Sequence, residues 1–187
     1  MTVLSVYDDF EGTLPSITTT DPEEISARLR AAGIGFERWR TASGISSGDS
    51  PERILAEYEH WLTDLKRRGG YQSADVISLT ADHPQRVALR QRFLDEHTHA
   101  EDEVRFFVAG RGAFYLHIEG SVFAVTCEQG DLLRVPAGTK HWFDMGPAPS
   151  LTAIRVFTNP EGWVAQFTGD EIAQRFPRLE PGGLPLG

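Results

Sequence analysis

Between residues 104 and 157 the chain offers six short β-prone runs, at 104–109, 113–119, 121–127, 131–135, 140–145 and 151–157. Turn formers punctuate them: Gly110-Arg111-Gly112, Glu119-Gly120, Gln129-Gly130, Pro136-Ala137-Gly138 and Gly146-Pro147. Many short strands at close, regular spacing predict an antiparallel sandwich or barrel.

The first part of the chain has a different texture. Residues 2–7 read as a strand. Asp21 is placed to cap a helix, with Pro22 at its first position and Glu24 reaching back from the third. Ile25, Leu29 and Ala32 give that helix an apolar stripe, and Gly33 ends it. A second helix opens at Ser50-Pro51, carries Ile54, Leu55, Tyr58, Trp61, Leu62 and Leu65 at helical spacing, and closes at Gly69-Gly70. A strand at 76–79 and a shorter helix at 84–93 follow. Residues 177–187 are rich in Pro and Gly and predict a poorly ordered tail. Without repeats or a linker, one domain over 1–180 is expected, with helical elaboration at 1–95 and a β core at about 96–158.

Composition excludes several partners. A net charge of −9 with no basic run argues against nucleic acid and against an anionic membrane surface. No stretch approaches membrane-spanning length, and Met1-Thr2-Val3-Leu4-Ser5 lacks the flank and apolar run of a secretion signal. The single cysteine, Cys127, cannot form an intramolecular disulfide, which suits a reducing compartment. A cytoplasmic monomer is the expectation.

His97, His99, Glu103 and His141 are the candidate site. An isolated His-x-His on a strand more often faces solvent than a metal, but the surroundings here are specific. His97 and His99 sit at i and i+2, so both imidazoles leave an extended chain on one face, and Glu103 follows four residues later. Pro136 and Gly138 make a tight turn that aims the next strand, so that His141 can face a pocket. Three imidazoles and a carboxylate form a borderline N/O donor set that suits Fe, Ni, Co, Mn or Zn.

Arg105 interrupts an apolar run and shares the parity of Glu103, so both should face the interior. One reading makes it an edge arginine paired with a surface carboxylate. The other makes it a permanent cation for an anionic substrate. A divalent ion with Glu103 leaves one positive charge and Arg105 makes two, which a dianion would neutralise. Four protein ligands on an octahedral ion also leave two positions, enough for one bidentate substrate. His60 and His117 read as structural or surface histidines, and Cys127 as a small buried hydrophobe. Phe93, Phe143 and Trp163 could line an apolar pocket or simply be core.

The spacing His-x-His-x3-Glu-x6-Gly at 97–110 and Gly-x5-Pro-x-Gly-x2-His at 130–141 matches the two-part cupin signature. It departs from it only at Gln91 and Met145, neither a metal donor. The resemblance implies a mainly β fold, a double-stranded β-helix or jelly roll with its ligands inside. Within the cupins, the string from Phe93 through Glu96-His97-Thr98-His99 to Asp102-Glu103-Val104-Arg105 resembles the bacterial acireductone dioxygenase family. The likeness continues through Gly110 and Phe114, His141-Trp142-Phe143, Arg155 and Gly162-Trp163, and covers most of residues 1–180.

That resemblance implies an enzyme of methionine salvage that oxidises 1,2-dihydroxy-3-keto-5-methylthiopentene with O2. It implies one Fe(II) or Ni(II) ion per chain on His97, His99, Glu103 and His141. With Fe(II) the products are 4-methylthio-2-oxobutanoate and formate; with Ni(II) they are 3-methylthiopropionate, formate and CO. Arg105 would form and hold the substrate dianion, Glu96 would support metal incorporation, and Asp102 would relay conformational change. Phe93, Phe143 and Trp163 would surround the substrate. The rival readings on this scaffold are a Zn or Mn sugar isomerase and a non-enzymatic sensor. Aromatic residues near the motifs disfavour the first, and the lack of a basic helical segment disfavours the second.

Overall fold

A computed structural model describes residues 1–11, 14–159 and 163–180. The fold is mainly β, as the β-prone half of the sequence requires. Among the described residues, eleven strands form two antiparallel sheets that share one long member. In chain order the strands are β1 (Val3–Asp8), β2 (Ile17–Thr19), β3 (Gly35–Arg38), β4 (Ser73–Leu79), β5 (His97–Thr98) and β6 (Glu103–Ile118). Then come β7 (Ser121–Glu128), β8 (Asp131–Val135), β9 (Lys140–Asp144), β10 (Leu151–Phe157) and β11 (Gln166–Phe167). Helices α1 (Pro22–Ala31), α2 (Pro51–Glu57), α3 (Glu59–Gly69) and α4 (Arg86–Leu94) occupy the first half, and a 3₁₀ turn spans Ile172–Arg175. One sheet runs β11-β5-β9-β6-β7-β1-β2. The other runs β4-β10-β6-β8-β3.

The shared strand β6 explains how the barrel closes. Its first half pairs with β8 and β10, and its second with β7 and β9. The sequence predicts two strands here, broken at Gly110-Arg111-Gly112; the structure corrects this to one strand that bends. Gly110 takes φ +72°, and a Cβ there would lie 1.7 Å from the Ser150 carbonyl oxygen, so only glycine lets β6 turn this corner. Val108 bulges, because Ala109 pairs with Thr152 while Phe107 pairs with Ala153. A one-residue bulge inverts side-chain parity. Arg105 and Phe107 before it, and Phe114 and Leu116 after it, can then share the barrel interior.

Both outer faces are covered. Val104, Phe106 and Val108 meet Ile54, Tyr58, Leu62 and Leu65 of α2 and α3. On the other sheet, Tyr115 and Trp142 stack with centroids 5.2 Å apart and pack with Ile172, Phe176 and Leu179. The single helix expected from Ser50 to Gly69 is two, broken at Tyr58 (φ −96°, ψ 7°). The Tyr58 ring lies 4.9 Å from that of Phe106 and its hydroxyl accepts the Ala42 N–H. Side-chain packing at Tyr58 has outweighed a continuous helical stripe. Asp21 caps α1 as expected, but Glu24 pairs with Arg28 at 2.8 Å.

The tail expectation needs correction over 177–180. The Pro177 carbonyl accepts the Tyr115 hydroxyl, the Leu179 N–H donates to Asp144, and Leu179 is buried. Residues 181–187 of that predicted tail, and Gly162 of the quoted motif, lie outside the described residues.

Candidate metal centre and its cavity

Strand pairing brings the four candidate ligands together. His97 in β5 pairs directly with His141 in β9, and His141 pairs on its other side with Leu116 of β6. His99 follows β5, and Glu103 opens β6 opposite Val135. The imidazole centroids of His97, His99 and His141 are 4.5–5.1 Å apart. One ligand atom from each of the four residues falls within 4.8 Å of all the others, and all four side chains are buried.

The hydrogen bonds of the rings decide which nitrogen is free. His97 Nδ1 faces the Asp95 carbonyl at 2.7 Å, His99 Nδ1 the Val164 carbonyl at 3.0 Å, and His141 Nδ1 the Thr139 carbonyl at 2.7 Å. A carbonyl only accepts, so each Nδ1 carries the proton and each neutral ring turns an Nε2 lone pair inward. Yet Nε2 of His99 and of His141 also face Glu103 Oε2, at 3.1 and 3.2 Å. A neutral ring has one N–H and cannot satisfy both acceptors. A cation among the three Nε2 atoms and the carboxylate resolves that conflict, and neutral imidazoles with an ionised carboxylate are the donor forms a divalent metal requires. The residues fit the ion that the donor set suggests.

The electrostatics agree at His97 and Glu103, while at His99 burial is outweighed by the Glu103 carboxylate, which raises the imidazole. Burial, then the neighbouring His141, holds His97 down at about 4, so it stays neutral. Burial pushes the Glu103 carboxyl up, but Arg105 and the bonds from His141 and His99 outweigh it and leave the group well below the usual carboxylate range. Arg105 is buried, and its NH2 group donates to Glu103 Oε1 at 2.9 Å. Its Nε has no hydrogen-bond partner among the described residues. Such a buried orphan donor is costly unless a ligand meets it. The Arg105 guanidinium lies 4.4 Å from the Phe143 ring centroid and 5.1 Å from that of Phe114.

Beside the four ligands opens a cavity of about 110 Å³. Its apolar wall includes Ile77, Leu79, Phe93, Phe143 and Trp163. Phe93 meets Phe143 edge-on at 6.3 Å, and Trp163 stacks over His99 at 6.1 Å. The Trp163 indole N–H donates to the Asp102 carbonyl at 3.1 Å. Asp102 ties neighbouring elements together, because its carboxylate also accepts the Ala137 N–H and the Tyr71 hydroxyl.

Glu96 is a buried carboxylate outside the ligand group. It accepts from Thr168 Oγ1 at 2.8 Å and faces His117 Nδ1 at 2.7 Å, and the other ring nitrogen of His117 lies 3.2 Å from Asp9. That bridge engages both ring nitrogens of His117, which lies outside the group of four ligands. His60 is exposed on α3, and Cys127 is buried.

Two charged residues of the cavity wall, Arg155 and Arg92, were given no role by the sequence. Arg155 pairs across β10 with Arg105 in β6 and is held bidentately by Asp75 at 2.8 and 2.6 Å. It interrupts an apolar strand as Arg105 does, so the same signal could have found it. Arg92, in the last turn of α4, gave no such signal.

Comparison with known proteins agrees with this geometry. Residues 4–165 match the ARD/ARD' family. An acireductone dioxygenase of Pseudomonas paraeruginosa is 56% identical over 96% of this chain and 99% of its own length. Those of Hahella chejuensis and Citrobacter koseri are 55% and 54% identical over 96% of this chain, covering 97% and 99% of their own lengths. An acireductone dioxygenase from Bacillus anthracis, solved with a cadmium ion in its active centre, superposes with a TM-score of 0.77 at 29% identity, covering 89% of this chain and 98% of that one. The chain therefore belongs to the acireductone dioxygenase (ARD/ARD') family of metal-dependent dioxygenases.

Proposed function

We propose that His97, His99, Glu103 and His141 hold one Fe(II) or Ni(II) ion per chain, and that the chain oxidises 1,2-dihydroxy-3-keto-5-methylthiopentene with O2 in the methionine salvage pathway. The observation that carries this reading is the buried four-donor set opening onto a cavity lined by the Arg105 guanidinium and by the rings of Phe93, Phe143 and Trp163. An ion held by His97, His99, Glu103 and His141 would supply Lewis-acid chemistry to an enediol substrate in the cavity. Arg105 lowers the cost of removing both enediol protons, because its fixed charge stands beside the developing second negative charge. Its orphan Nε offers that anion a donor already in place. Phe93, Phe143 and Trp163 take up the methylthio tail, and their apolar wall excludes water from the anion.

Glu96 and Asp102 act at one remove. Glu96, the residue before His97, is itself held by His117 on one side and Thr168 on the other, which supports a role in metal incorporation. Asp102 connects Trp163 to the turn at Ala137, a path by which movement at the cavity reaches the segment that delivers His141. The Fe(II) form yields 4-methylthio-2-oxobutanoate and formate, and the Ni(II) form yields 3-methylthiopropionate, formate and CO. Each set accounts for every atom of substrate and O2. Product analysis after aerobic turnover by protein loaded separately with each metal tests the reading. CO from the nickel form alone is expected. Recovery of unreacted substrate with both metals overturns it.

A further inference from the structure

We propose that Arg92 is the capture cation at the mouth of the cavity, drawing the anionic substrate in ahead of its encounter with Arg105. The inference rests on the acireductone reading and adds a residue to it. Three guanidiniums line the cavity: Arg92, Arg105 and Arg155. Two are already committed, Arg105 to Glu103 and Arg155 bidentately to Asp75. Arg92 is exposed and makes no hydrogen bond or ion pair among the described residues. An exposed cation with no partner among the described residues, standing outside the paired inner guanidiniums, is the group placed to meet an incoming anion first.

Its setting sharpens the point. The chain carries a net charge of −9, a field that repels an anionic substrate at long range. Screening confines useful attraction to about 8 Å at physiological ionic strength, so a cation must stand at the mouth itself to matter. Helix α4 contains Arg86, Arg90 and Arg92 and no acidic residue. Arg90 is turned elsewhere, bound bidentately to buried Asp144 at 2.7 and 2.9 Å, where it fixes the helix against β9. That anchor holds Arg92 and its neighbour Phe93 over the cavity, so cation and aromatic wall arrive together.

Because Arg92 is exposed and unbonded, its variants should fold. The test uses metal-loaded full-length chains of the wild type, Arg92→Gln, Arg92→Glu and, as a control on the same helix but off the cavity, Arg86→Gln. Steady-state kinetics with the acireductone are measured at low and high salt, beside anaerobic binding of substrate followed by ultraviolet absorbance. Expected are a kcat/KM lower by about threefold for Gln and about tenfold for Glu, carried by KM, with kcat nearly retained. The anaerobic dissociation constant should rise in parallel, the salt dependence of kcat/KM should flatten in Arg92→Gln, and Arg86→Gln should match the wild type. Unchanged kcat/KM and salt dependence in Arg92→Gln, an equal effect of Arg86→Gln, or a loss confined to kcat each overturn the capture role while leaving the acireductone reading intact. Failure of the wild type to consume the acireductone overturns that reading, and this inference with it.

Discussion

Replacing Arg105 with methionine tests how the metal centre and the barrel share one charge. Methionine keeps much of the volume and removes the cation. In the metal-free protein Glu103 is buried with Arg105 at 2.9 Å. At an effective dielectric constant of about 20, that separation corresponds to roughly 6 kcal/mol of gross attraction. Breaking one side of such a buried pair costs about 3–5 kcal/mol net, since the remaining charge is stranded. With metal bound, the same carboxylate keeps a cationic partner, and most of that loss should disappear. The stabilisation gained on adding Ni(II) should therefore be larger in Arg105→Met than in the wild type. An excess of about 2–3 kcal/mol corresponds to roughly 5–10 °C in melting temperature for a chain of this size. Thermal melts with and without Ni(II), each against a chelator control, read it directly. Turnover should fall in the same variant. Equal metal-induced shifts in the two proteins would refute the idea that Arg105 and the ion compensate one carboxylate.

Other consequences follow from particular residues. His141→Ala should lower metal content about tenfold or more at matched free Ni(II), by plasma emission analysis, with activity falling in proportion; full occupancy would remove His141 from the ligand set. In the metal-free protein His97 titrates at about 4 rather than 6.5, so the unfolded chain binds the extra proton first. Its contribution, about 3 kcal/mol, is present above pH 6.5 and is lost as pH falls toward 4. The depressed Glu103 acts in the same direction below the ordinary carboxylate range, while His99, raised against the cost of burial by its bond and charge interaction with Glu103, opposes it. Urea midpoints between pH 7.5 and 4.5 should therefore drop, and a flat profile would contradict this. Gly110→Ala should cost about 3–5 kcal/mol in the same assay, since it combines positive φ with a backbone clash. Gly138→Ala, at φ +76° with nothing within 4 Å of the added Cβ, should cost about 1 kcal/mol.

Much of the site was legible because its information is local. The parity of His97, His99, Glu103 and Arg105, and the Pro136-Ala137-Gly138 turn before His141, are short-range patterns that strand geometry converts into one interior cluster. The rest needed partners distant in sequence. β3 and β5 are short and lack apolar alternation, and they exist because β8 and β9 supply the hydrogen bonds. The pair at Gly110 and Gly112 signalled a turn, but a bulge and two different sets of neighbours turned it into a corner within one strand. His117 carried no marker for its bridge between Glu96 and Asp9, which lies 108 residues away. Arg92 stands out only when Arg105 and Arg155 are seen to have carboxylate partners in the same cavity.

The central claim is that one ion on His97, His99, Glu103 and His141 supports acireductone oxidation. The most direct measurement titrates metal-free protein with Fe(II) under anaerobic conditions and reads O2 consumption with the acireductone at each step. Activity should rise linearly and break at about one ion per chain, the stoichiometry set by the one four-donor cluster among the described residues. Substantial turnover by the metal-free chain, or activity that stays absent once one ion per chain is bound, would contradict the account.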